Sequence, residues 1–162
     1  MRAQRGIGGV AAAVLVLAAS LIGSGPAWSA SAEVPFKATA QGQIAFTGET
    51  TLAWSGAGRA LQMGEVTGAG NITLTGGDDS CPGGLANTHV ATVTAANGAT
   101  LTFTQTDVSC PVSPSVFHGT GHWTVTSGTG RFAGVTGHGS VVGDANLATG
   151  AFTISWTGEL VL

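Results

Sequence analysis

Apolar and polar side chains alternate along most of the chain, and the alternation has a period of two. Thr, Val and aromatic residues recur at every second position in runs punctuated by glycine, the pattern of half-buried β-strands. Eight such runs stand out, at residues 36–46, 51–61, 65–75, 88–95, 99–108, 116–126, 135–144 and 151–162. Beyond residue 32, no ten-residue stretch shows the apolar spacing of three and four that marks an amphipathic helix. The connections are short, except at residues 76–87 and at the corner 110–115. Eight antiparallel strands joined mostly by hairpins predict an all-β fold, an up-and-down barrel whose closure removes exposed strand edges. A two-sheet β-sandwich fits the same pattern, because alternation alone does not show closure.

Parity sorts the side chains into two sets. One holds Leu52, Trp54, Ile72, Leu74, Leu101, Phe103, Phe117, Trp123, Phe152, Ile154 and Trp156. The opposite set is Thr100, Thr102, Thr104, Thr106, His118, Thr120, His122, Thr124, Thr153 and Ser155. Burial stabilises by about 25 cal/mol per Å² of apolar surface, so the aromatic set faces the interior. Threonine then covers the outside, where β-branching favours strands without adding charge. One hairpin can be taken to its register. A two-residue Asn97-Gly98 turn would pair Ala96 with Ala99 and mix the two faces. A three-residue loop with Gly98 left-handed pairs Ala95 with Ala99 and sets Val93, Ala91 and His89 beside Leu101, Phe103 and Gln105. Keeping one face apolar selects the second register. It gathers His89, Gln105 and Asp107 at one end of the interior.

Composition narrows the function. Of 162 residues only 8% are charged, and five Lys+Arg cannot form a phosphate-neutralising patch, which excludes electrostatic nucleic-acid binding. Two of those five, Arg2 and Arg5, precede an uncharged run over residues 7–22, then Gly23, Gly25, Pro26 and the small-residue run Ala30-Ser31-Ala32. That order predicts a secretory leader cut after Ala32. A spanning helix needs about 20 apolar residues, more than this run offers, and no later segment could cross a bilayer as a helix. The exported part is then a single domain, residues 33–162, with three basic against eight acidic side chains. In an oxidising compartment Cys81 and Cys110 most simply pair with each other, closing a loop of 28 residues.

Other candidate chemistry is sparse. His118 and His122 are four apart on a strand, about 13 Å, too far to share one ion, and His138 is the only obvious further ligand, so no metal is expected. Asp78-Asp79 reads as a turn rather than a calcium site, which needs six or more oxygens. The glycines of Gly128-Thr129-Gly130-Arg131-Phe132-Ala133 mimic a dinucleotide fingerprint, but no helix follows. There is no GxSxG elbow. By parity Asp107 faces inward and Glu159 outward, which separates them as a carboxylate pair.

The stretch from Gly128 through Thr129, Gly130, Phe132 and Val135 to Gly137 resembles a signature of the allene oxide cyclase and dirigent barrel superfamily, which includes small secreted actinobacterial members. Gly150-Ala151-Phe152, Trp156-Thr157-Gly158 and Trp54-Ser55-Gly56 add to the resemblance. It implies an eight-stranded barrel around an apolar cavity, with Gly128, Gly130 and Gly137 supplying turn dihedrals and Phe132 plugging one end. Some relatives steer cyclisation or coupling of small molecules without a cofactor. Their Asn/Glu water-holding set, and the paired acids and Arg of dirigent proteins, have no match here.

Glycines at inward parity, among them Gly56, Gly58, Gly68, Gly70, Gly119, Gly121, Gly137 and Gly139, have two readings. Rings pack over them, or they leave volume for a ligand. The sequence thus predicts a cofactor-free barrel that binds a small hydrophobic molecule through Trp54, Phe103, Gln105, Trp123, Phe152 and Trp156. Polar groups at the cavity mouth would be His89, Gln105, Asp107 and Arg59. A cofactor-free cyclase or isomerase using His89 or Asp107, and an extracellular protein working through its threonine surface, are the alternatives.

Overall fold

The computed structural model describes residues 32–162. Strands β1 (Glu33–Phe46), β2 (Thr51–Ala60), β3 (Gly64–Asp78), β4 (Gly84–Ala95), β5 (Thr100–Ser113), β6 (Val116–Gly128), β7 (Thr136–Asn146) and β8 (Ala151–Val161) follow in order. Each pairs antiparallel with its neighbour, and β8 returns to β1 from Glu33↔Val161 to Gln43↔Ala151, so the sheet closes as a barrel. Closure decides against the sandwich. The expected leader lies outside the described residues.

The β4–β5 hairpin has the register that the apolar face demands. Val93 pairs with Leu101, Ala91 with Phe103 and His89 with Gln105. Ala95 N–H donates to the Ala99 carbonyl at 2.9 Å across a loop in which Gly98 has φ 84°. Two connections are shorter than the sequence suggests. Residues 76–87 do not form a long loop: β3 continues to Asp78 and β4 starts at Gly84. A register shift between Leu74 and Gly76 absorbs the glycines that read as a break. At the other corner β5 runs on to Ser113, with a second shift beside Pro111. Proline and glycine are tolerated here because the barrel rim accepts bulges.

Parity places the side chains as expected. Trp54, Leu101, Phe103, Trp123, Phe152 and Trp156 are all buried, and Thr104, Thr106, Thr120, Thr124 and Thr153 are exposed. Several inward glycines make room for rings. A methyl group on Gly139 or Gly158 would stand 2.8 Å from Cζ2 of Trp123, and one on Gly70 would stand 2.7 Å from the indole nitrogen of Trp54. Such contacts force a shift of ring or backbone.

Hairpin alternation gives the barrel two unlike ends. The end holding the β2–β3, β4–β5 and β6–β7 connections is filled by Phe36, Met63, Leu101, Phe132, Val135 and Leu160, all buried. Phe132 closes a single 3₁₀ turn, Gly130–Phe132, that begins at Gly130 with φ 61°. Its 2% exposure fits the plugging role expected for this residue. At the opposite end the Cys81–Cys110 disulfide ties the β3–β4 loop to β5. Constraining a loop of this length in the unfolded chain stabilises by roughly 3–4 kcal/mol in the loop-entropy model.

Candidate functional site

The disulfide-bearing end is not filled. A cavity of about 120 Å³ enters the barrel there between Ile44, Leu52, Trp54, Ile72, Phe117 and Phe152. Gly119 and Gly143 line it too; a Cβ on Gly119 would meet nothing nearer than 3.5 Å, so this inward glycine leaves space, whereas one on Gly143 would press on the Thr153 carbonyl at 2.7 Å. Phe46, 54% exposed, stands at the mouth with Leu74, Leu85 and Leu147. The wall is therefore apolar from mouth to floor on most sides.

The exception is one patch of β4 and β5. Asn87, His89, Asp107 and Ser109 line the cavity from adjacent strands, with Asn87 directly opposite Asp107 and His89 opposite Gln105. Asn87, His89, Gln105 and Asp107 are the buried polar residues of the barrel, each 9% exposed or less. Such groups persist in a core only when hydrogen-bonded.

Two groups with fixed hydrogen-bonding character set the whole network. The Trp156 indole N–H can only donate, and it donates to Gln105 Oε1. Gln105 Nε2 is then the donor toward His89 Nδ1 at 3.2 Å and Asp107 Oδ2 at 3.3 Å. From the other side the Leu85 carbonyl can only accept, and it takes Asn87 Nδ2 at 3.3 Å, as does Ser109 Oγ at 3.1 Å. Asn87 Oδ1 therefore faces His89 Nε2, 2.6 Å away, as an acceptor. Both anchors demand the same imidazole: Nδ1 bare, Nε2 protonated. The Nε2–H points between Asn87 Oδ1 and Asp107 Oδ2, the latter at 3.1 Å.

A neutral imidazole is also what burial favours. Desolvation pushes the His89 pKa down to about 4. It pushes Asp107 up to about 6, against the Gln105 hydrogen bond and the field of His122, which lower it. Asp107 Oδ1 is buried and has no hydrogen-bond partner among the described residues. It packs over Gly121, the residue paired with Asp107 across β5 and β6, where a Cβ would collide with this oxygen.

The structure separates the residues that the sequence grouped. Trp54 and Phe152 line the cavity with His89 and Asp107. Phe103, Trp123, Trp156 and Gln105 do not; they are buried beneath the floor, with Phe103 5.5 Å from Trp156 and 6.0 Å from Trp123, ring centre to ring centre. Arg59 is not at this mouth. It lies at the plugged end, exposed and paired with Glu65. His118 pairs with Asp144 at 2.8 Å on the outer wall, and His138 reaches Glu159 at 3.5 Å. Asp78 accepts from the Ser80 N–H at 2.9 Å, a turn contact. Asn87 and Ser109 are site residues that the pattern did not single out. Asn87 has the inward parity of His89, but the sequence pattern puts it in the 76–87 connection. Comparison of the chain with protein-family models, curated proteins and solved structures finds no match.

Proposed function

We propose that this chain is an exported barrel, akin to the allene oxide cyclase and dirigent barrels, that holds a small hydrophobic molecule without converting it. The carrying observation is the apolar cavity at one end of a barrel whose other end is plugged. Its volume, about 120 Å³, approaches the roughly 150 Å³ of an apolar cavity that takes up benzene. One ring or the end of a chain fits inside, and a longer molecule projects past Phe46. Export is supported by the leader-like order of residues 1–32, by the disulfide, and by a first strand that starts directly after the expected cut.

Holding fits the chemistry better than turnover does. Both His89 nitrogens are already engaged within the protein, which leaves no free lone pair to take a proton from a ligand. A cofactor-free cyclase or isomerase would have to work through Asp107, whose pKa near 6 suits a general acid or base. The threonine exterior is accounted for by strand preference and by pairs such as Thr92 and Thr102, 3.0 Å apart.

Trp54 sits in the cavity wall, so occupancy should change tryptophan emission. Titration with cyclohexane-sized lipophiles is expected to give a saturable change that Phe152→Ala or Trp54→Phe alters and Val142→Thr, on the outer face, does not. A response that never saturates, or that is the same in all variants, contradicts the reading.

A further inference from the structure

We infer that the polar patch on β4 and β5 selects a ligand carrying a hydroxyl group, received by Asp107 and Ser109. This rests on the holding function proposed above and specifies its ligand.

The cavity wall offers hydrogen bonds at Asn87, His89, Asp107 and Ser109. Two of these are spent. Asn87 uses Nδ2 on Leu85 and Ser109 and Oδ1 on His89, and the His89 ring is occupied at both nitrogens. The other two have capacity left. A carboxylate offers about four lone-pair positions. His89 and Gln105 both approach Oδ2 of Asp107, while Oδ1 is unused. Oδ1 packs over Gly121, and rotation about the broad sp³–sp² torsion of the carboxyl brings it round to face the cavity. Ser109 Oγ accepts from Asn87, which leaves its own O–H free to donate.

The unspent pair is thus one acceptor and one donor. Asp107 and Ser109 are two apart on one strand face, so their Cβ atoms stand about 6.6 Å from each other. A single oxygen lying between them reaches both. A hydroxyl group matches, since it donates to Asp107 and accepts from Ser109. A ligand carboxylate does not. It would set a second anion beside Asp107 in a desolvated site that holds no Lys or Arg, and like charges there are costly. An ammonium satisfies Asp107 but has no acceptor for Ser109. A plain hydrocarbon uses neither Asp107 Oδ1 nor the Ser109 O–H.

Four probes with one ring isolate the head group: methylcyclohexane, cyclohexanol, cyclohexylamine and cyclohexanecarboxylate, measured by calorimetry at pH 7.5 on the chain lacking residues 1–32. Cyclohexanol is expected to bind about tenfold tighter than methylcyclohexane, with the carboxylate weakest. Asp107→Asn and Ser109→Ala should each cut the cyclohexanol-to-methylcyclohexane affinity ratio by at least threefold, whereas Val142→Thr, on the outer face, leaves that ratio unchanged. Equal affinity for cyclohexanol and methylcyclohexane, or a preference for the amine or the carboxylate, overturns the inference and leaves the apolar holder intact. Failure of every probe to bind overturns the holder reading, and the inference with it. If Asp107→Asn does not fold, Ser109→Ala, at the wet end of the site, decides alone.

Discussion

Trp123→Ala is expected to lower the unfolding free energy by about 3–5 kcal/mol, the range for removing a buried aromatic ring. The ring is 1% exposed and fills the middle of the barrel. It packs edge-on against Phe36 at 5.3 Å and lies 6.0 Å from Phe103. Gly139 and Gly158 give it room on one side, and its N–H is shared between the carbonyls of Ser140, at 3.1 Å, and Thr157, at 3.3 Å. Phe36, Phe103, Gly139 and Gly158 hem the ring in, so most of the loss should appear as cavity cost. Domains of this size have unfolding free energies of roughly 5–15 kcal/mol in total. The variant should show a large drop in urea midpoint, while Val142→Thr on the outer wall moves by about 0.5 kcal/mol or less. A Trp123→Ala loss below about 1 kcal/mol would mean that the ring is not packed as described.

The second large effect is a pair of opposite pH dependences. The folded-state pKa of His89, about 4, lies below its ordinary 6.5, so its contribution to stability is full above pH 6.5 and is lost as pH falls toward 4. The folded-state pKa of Asp107, about 6, lies above its ordinary 3.8, so its contribution is full below 3.8 and is lost as pH rises toward 6. Each is worth on the order of 3 kcal/mol at full extent. Between pH 4 and 6 the two slopes oppose each other and largely cancel in the natural chain. Removing one member exposes the other. Asp107→Asn should grow more stable from pH 4 to 6.5, and His89→Gln should grow less stable from pH 4 to 6, when urea unfolding is compared with the parent at each pH. Two variants that both run parallel to the parent would contradict the burial of these groups.

Strand number and the in–out sorting were legible because a strand's side-chain period of two is written directly in Thr100-Leu101-Thr102-Phe103-Thr104 and its counterparts; closure was not, since a sandwich has the same period. The β4–β5 register was legible for a related reason: one of two turn geometries would have put Val93 on the wrong face. Depth along the barrel was not legible from parity. Trp54 and Trp156 are both inward and 6.3 Å apart, yet Trp54 borders the cavity and Trp156 lies under its floor. Distance from each hairpin supplies that depth: Arg59, beside Ala60 at the end of β2, belongs to the plugged end and not to the cavity mouth that parity alone would allow. The misread glycines at 76 and 77 concealed Asn87, whose amide turned out to orient His89. Ring-over-glycine packing against open cavity could not be divided from sequence: Gly139 and Gly119 share one parity, yet a Cβ on Gly139 would meet the Thr157 carbonyl and the Trp123 ring, and one on Gly119 nothing nearer than 3.5 Å.

The most direct test of the open, apolar end is methyl-labelled NMR with cyclohexane as the added molecule. The methyl signals of Leu52, Ile72, Leu74 and Ile154, which line the cavity, should shift together and saturate, while those of Leu101 and Leu160 at the plugged end stay in place. Shifts spread evenly over both ends, or none at any concentration that cyclohexane reaches in water, would contradict a binding chamber in this barrel.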